Sequence, residues 1–144
     1  MAGSDFHVNV PSGFSNPDVR NLSDTEKSMA GAMGLSEEQF RQSKLEYLLG
    51  EERRRTRGHD LGEQVEKILA ELGTGYRLES VTWNSNTLSW RLEIETPQGQ
   101  QNVVLASELV DDALDARTRR ELRRLRNMVW FGLGRRDLIF EKHE

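Results

Sequence analysis

The chain has no cysteine, and only three histidines and three prolines among its 144 residues. Without cysteine there are no disulfides, no thiolate metal sites and no cysteine nucleophile. His7, His59 and His143 are far apart and show no ligand spacing, so no metal site is expected. Glycine-rich phosphate loops and nucleophile elbows are missing too. No apolar run approaches the roughly 18–20 residues that cross a bilayer. Met1-Ala2-Gly3-Ser4-Asp5 lacks the basic start and apolar segment of a signal peptide. These absences predict a cytoplasmic, non-enzymatic chain without cofactor, membrane contact or small-molecule substrate.

Charge, by contrast, is plentiful. Charged residues make up 31% of the chain against 35% hydrophobic, and the net charge of -4 hides an uneven distribution. Between Arg117 and Arg136 stand eight arginines, Arg117, Arg119, Arg120, Arg123, Arg124, Arg126, Arg135 and Arg136, against one acid, Glu121. Acids crowd the first half, from Glu37 to Glu71. Such polarity predicts an acidic and a basic face, or subunits that meet acid to base.

The clearest fold signal is Tyr76 to Leu105. Leu88, Trp90, Leu92 and Ile94 alternate with polar residues at the period of a half-buried strand. Asn84-Ser85-Asn86 before this run and Pro97-Gln98-Gly99-Gln100 after it are turn signals, so a three-stranded antiparallel meander is expected. Tyr76, Leu78, Val81 and Trp83 do not share one parity, which predicts a bulge or an exposed aromatic near Ser80. Leu61, Val65, Ile68, Leu69 and Leu72 make an amphipathic helix that opens at Asp60. Beyond Ser107, read as a cap, a long helix carries the arginines with Leu122, Leu125, Met128 and Val129, and Leu138-Ile139-Phe140 suits a short last strand.

Residues 1–22 are read as an extended or flexible arm, in which Phe6, Val8 and Val10 alternate as a strand able to dock on a neighbouring subunit or partner. Residues 23–58 form a helical corner: Ser23 to Glu26 and Ser36 to Gln39 fit capping boxes, Gly34 ends the first helix, and Leu35 with Phe40 fit a hydrophobic staple. Residues 59–144 form the remaining module, and the class is α+β. The segment Ser23 to Phe40, in particular Met33-Gly34-Leu35-Ser36-Glu37-Glu38-Gln39-Phe40, resembles an element of head-maturation protease and scaffold proteins of tailed phages and prophages. The resemblance spans about an eighth of the chain and implies a mobile-element origin, an assembly setting and a virion location. No protease nucleophile motif accompanies it.

The leading functional expectation is therefore binding or assembly through protein contacts, with own subunits or another protein. The alternative is nucleic-acid binding through Arg117 to Arg136, assisted by Arg53 to Arg57. Helix, three strands, helix is the element order of the double-stranded RNA-binding domain, although Glu108, Asp111 and Asp112 stand where that family has basic residues. A last strand would complete the order of a restriction-endonuclease-like core, of which this chain would be a degenerate form. Glu93 and Glu95 lack the lysine that such chemistry uses.

Overall fold

The structure is a computed structural model and describes residues 6–141. His143 and the first five residues of the expected arm lie outside the described residues. The class is α+β: β1 (His7–Asn9), α1 (Asp24–Ala32), α2 (Glu37–Ala70), β2 (Arg77–Asn84), β3 (Ser89–Thr96), β4 (Gly99–Ala106), α3 (Ser107–Ala116), α4 (Arg119–Gly132) and α5 (Arg136–Glu141). Two compact units emerge. One is Pro11–Arg55; the other joins residues 6–10 to 56–141.

In the larger unit, β2, β3 and β4 form the antiparallel meander, and β1 adds a fourth strand parallel to β2. Pairing slips between Leu78 and Ser80, so Glu79 is the extra residue. That bulge resolves the parity conflict and lets Leu78, Val81 and Trp83 all reach the core. Trp90, Leu92 and Ile94 of β3 are buried with them, against Leu61, Val65, Ile68 and Leu69 of α2 and Leu125, Val129 and Trp130 of α4. Each such side chain contributes about 1.5–3 kcal/mol by leaving water. The opposite face carries Thr82, Arg91, Glu95, Asn102 and Val104 and is exposed or half-buried.

Five expectations are corrected here. Phe6, Val8 and Val10 do not project as a free arm: β1 pairs with β2 in the register His7↔Ser80, and Phe6 and Val10 are buried in the chain's own core. No helix begins at Asp60, because α2 runs unbroken through Gly58 and Gly62. The helix after the sheet is two helices, since Arg117 turns the chain with φ 51° and Thr118 caps α4 by accepting from the Glu121 N–H. Ser107 is the first residue of α3, and Ala106 occupies the cap. Leu138-Ile139-Phe140 belongs to helix α5, so the endonuclease-like order is not formed.

Leu88 departs from its strand as well. It sits in the β2–β3 turn at φ 51°, 60% exposed. A left-handed conformation costs a non-glycine residue about 1–2 kcal/mol. Leu88→Gly is therefore expected to raise stability by about 1 kcal/mol in urea denaturation. An unchanged or lowered midpoint would refute the assignment of strain to this residue.

In the smaller unit, both capping boxes form. Ser23 Oγ accepts from the Glu26 N–H and Glu26 Oε1 accepts from the Ser23 N–H. Ser36 and Gln39 repeat the exchange at the head of α2. Gly34 takes φ 74°, and Phe40 packs with Leu22 and Ala30, flanked by Phe14 and Leu35. Residues 11–22 are pinned along α2 instead of trailing loose. Glu51 accepts from the Gly13 N–H at 2.8 Å, Lys44 donates to the Asp18 carbonyl at 2.7 Å, and Arg41 donates to the Arg20 carbonyl at 3.2 Å.

Candidate functional site

The arginines of the larger unit do not form one uniform surface. The corner between α3 and α4 sets Arg117 and Arg119 at the head of α4, and the helical period then aligns Arg119, Leu122, Arg123 and Arg126 on one side. Facing them are Gln64 and Ile68 of α2 and Glu71 just past its end, at i, i+4 and i+7. Together with Arg117 these residues line a groove of about 620 Å³. Ile68 and Leu122 supply apolar lining, and four guanidinium groups stand against the single carboxylate of Glu71.

Pairing separates the eight arginines further. Arg117, Arg119, Arg120 and Arg123 are exposed and have no acidic partner among the described residues. Arg124 is paired with Glu121 at 3.1 Å. Arg126 lies over the Trp130 ring, 4.4 Å from its centroid, and donates to Asn127 at 3.3 Å, while its Nε is buried without an acceptor. Arg135 grips Asp137 through two nitrogens, each at 3.2 Å, and reaches the Tyr76 hydroxyl. The Asp137 carboxylate, and then Tyr76, raise the Arg135 pKa, and Arg135 in turn lowers that of Asp137. Arg136 stacks on Phe131.

The expected auxiliary run from Arg53 to Arg57 is not a free basic patch. Arg55 pairs with Glu52 at 2.9 Å, and Arg57 with Asp115 at 2.7 Å and Asp111 at 3.5 Å. Protein-family models, curated proteins and solved structures were all compared with the chain, and none matches. The groove must therefore be read from its own chemistry.

That chemistry suits negative charge. Guanidinium groups present several donors in a rigid fork suited to phosphate or carboxylate oxygens. Four of them along one wall favour a ligand with repeated negative charges. Phe6, Val8 and Val10, by contrast, are built into the sheet. Glu93 is bonded to the Ser80 hydroxyl at 2.8 Å. His7 is exposed on β1, whereas the His59 ring packs edge-on against Phe6.

The arginines were legible in the sequence, and so was Ile68 as part of the α2 stripe, but Gln64 and Glu71 were not. The only signal for them was their spacing of four and three residues from Ile68. That spacing says which residues share a face, not which distant helix the face meets.

Proposed function

We propose that this chain is a non-enzymatic binding protein whose arginine groove holds the phosphate backbone of a nucleic acid. The observation that carries the reading is the set of Arg117, Arg119, Arg123 and Arg126 along one groove, none of them with an acidic partner among the described residues. Exposed Arg120 extends the positive field beyond the groove. A polyanion gains affinity by releasing counterions from each phosphate that an arginine neutralises. Assembly through protein contacts is a second reading, supported by the resemblance of Ser23 to Phe40 to phage head-maturation and scaffold proteins. It no longer draws on Phe6, Val8 and Val10.

Fluorescence anisotropy with a labelled DNA duplex tests the proposal. Four phosphate contacts give a slope of log affinity against log salt of about -3.6, or roughly a hundredfold loss between about 50 and 200 mM. Arg119→Gln with Arg123→Gln is expected to flatten the slope to about -1.8. Absence of binding at low salt, or a slope unaffected by the pair of substitutions, would exclude the groove as a phosphate track.

A further inference from the structure

Among the described residues, the β4 edge is unprotected in a way that natural sheets usually avoid. β4 is the outermost strand of the sheet, and its eight residues, Gly99 to Ala106, include no charge and no proline. Its pairing with β3 is unbroken from Ser89↔Ala106 to Thr96↔Gly99, so no bulge twists it away. Lysine, proline, bulges or shortness are the common guards of an edge strand. The opposite edge, β1, has the last of these, being three residues long. Apolar surface flanks β4 on both sides. Val104 is 60% exposed on the open face of the sheet. Beneath it, α4 approaches so closely that a Cβ on Gly132 would lie 2.7 Å from Val103 Cγ1, and neighbouring Phe131 and Met128 are 55% and 43% exposed.

We propose that β4 pairs antiparallel with β4 of a second copy about a two-fold axis, making a dimer with one continuous sheet. A second copy fits because the strand is neutral and self-complementary: pairing brings no like charges together, and a charged partner would find nothing on it to read. An axis near Asn102 and Val103 draws the C-terminal ends of the two α4 helices together, so Met128 and Phe131 approach their equivalents. Arg120 lies 12 residues before Gly132, about 18 Å along the helix, so the arginine-bearing turns point apart. Paired strands roughly 27 Å long with the helical layer beneath them bury about 1,000 Å² in total, the lower bound for a specific interface. A weak dimer is the consequence.

Sedimentation velocity on the full chain from about 5 to 500 µM tests this. The natural chain is expected to shift from monomer to dimer across that range. Val104→Lys changes a side chain that is already exposed and is expected to weaken dimerisation at least tenfold. Met33→Lys, at a residue 62% exposed in the Pro11–Arg55 unit, is expected to leave it unchanged. A monomer at every concentration would overturn the proposal. So would a Val104→Lys dimer as tight as the natural one, or equal weakening by Met33→Lys, which would mean non-specific association.

Discussion

Lys44→Met is expected to destabilise the Pro11–Arg55 unit by about 3 kcal/mol, because it leaves a buried carboxylate without its counter-charge. Lys44 is 1% exposed and Glu26 6%, and their charged atoms meet at 2.7 Å. The same ammonium donates to the Asp18 carbonyl and lies 5.3 Å from the centre of the Phe14 ring. Glu26 does three things at once: it pairs with Lys44, closes the cap on Ser23 and accepts from Asn16 Nδ2 at 2.8 Å. Its pKa falls from 4.5 to about 2, chiefly through Lys44 and then through the Ser23 and Asn16 bonds, with burial opposing. Asp18 is lowered as well, by the Arg20 and Asn21 backbone N–H groups.

The linkage has a definite sign. A carboxylate with a depressed folded pKa binds its proton more readily in the unfolded chain, so its stabilisation is complete above the unfolded value and is lost on acidification. For Glu26 the window runs from pH 4.5 down to about 2. Protection of amides in residues 11–55, taken relative to the intrinsic exchange rate at each pH, is expected to fall across that window in the natural chain and much less in Lys44→Met. Lys44→Met combined with Glu26→Gln removes both charges and is expected to recover most of the loss, since the cost lies in the orphaned charge more than in the missing pair. A single substitution costing under about 0.5 kcal/mol would show the pair to be a surface ion pair in its energetics.

This pair also marks a limit of sequence reading. The capping boxes, the staple and the amphipathic stripes are local patterns, and the corresponding elements form where those patterns lie. Lys44 and Glu26 are charged residues inside helices rich in charge, and nothing in their spacing distinguishes them from solvated neighbours. Burial comes from residues 11–22 folding back along α2, which depends on side-chain bonds to backbone that no periodicity encodes. The break expected at Asp60 failed for a related reason. Asp60 has the character of a helix cap, yet tertiary contacts decide whether a helix starts there, and they tolerate the roughly 1 kcal/mol that each of Gly58 and Gly62 costs inside α2. The basic groove was half legible: one wall is a run of arginines, and the other is placed by the packing of α2 against the sheet.

Gly62→Ala follows from that last contact, and the direction of its effect should invert with the identity of residue 6. In an isolated helix, alanine for glycine gains about 1 kcal/mol. Here a Cβ at Gly62 would overlap the Phe6 ring, and one at Gly58 would lie 2.7 Å from Val8 Cγ1 and 2.9 Å from Trp90. The two glycines, four residues apart on one face of α2, form the flat seat on which β1 lies. Filling the seat at residue 62 expels Phe6, which forfeits about 2–3 kcal/mol of burial and weakens the three-residue pairing of β1 with β2. After the helical gain is subtracted, a net loss of about 2 kcal/mol is expected in chemical denaturation, with lost hydrogen-exchange protection at residues 7–9. Phe6→Ala alone should cost about 3 kcal/mol. In that background the ring is gone, so Gly62→Ala should stabilise the chain by up to about 1 kcal/mol. Stabilisation by Gly62→Ala in the natural chain would mean that Phe6 is not seated against α2, and the strand formed by residues 7–9 would again be available to a partner.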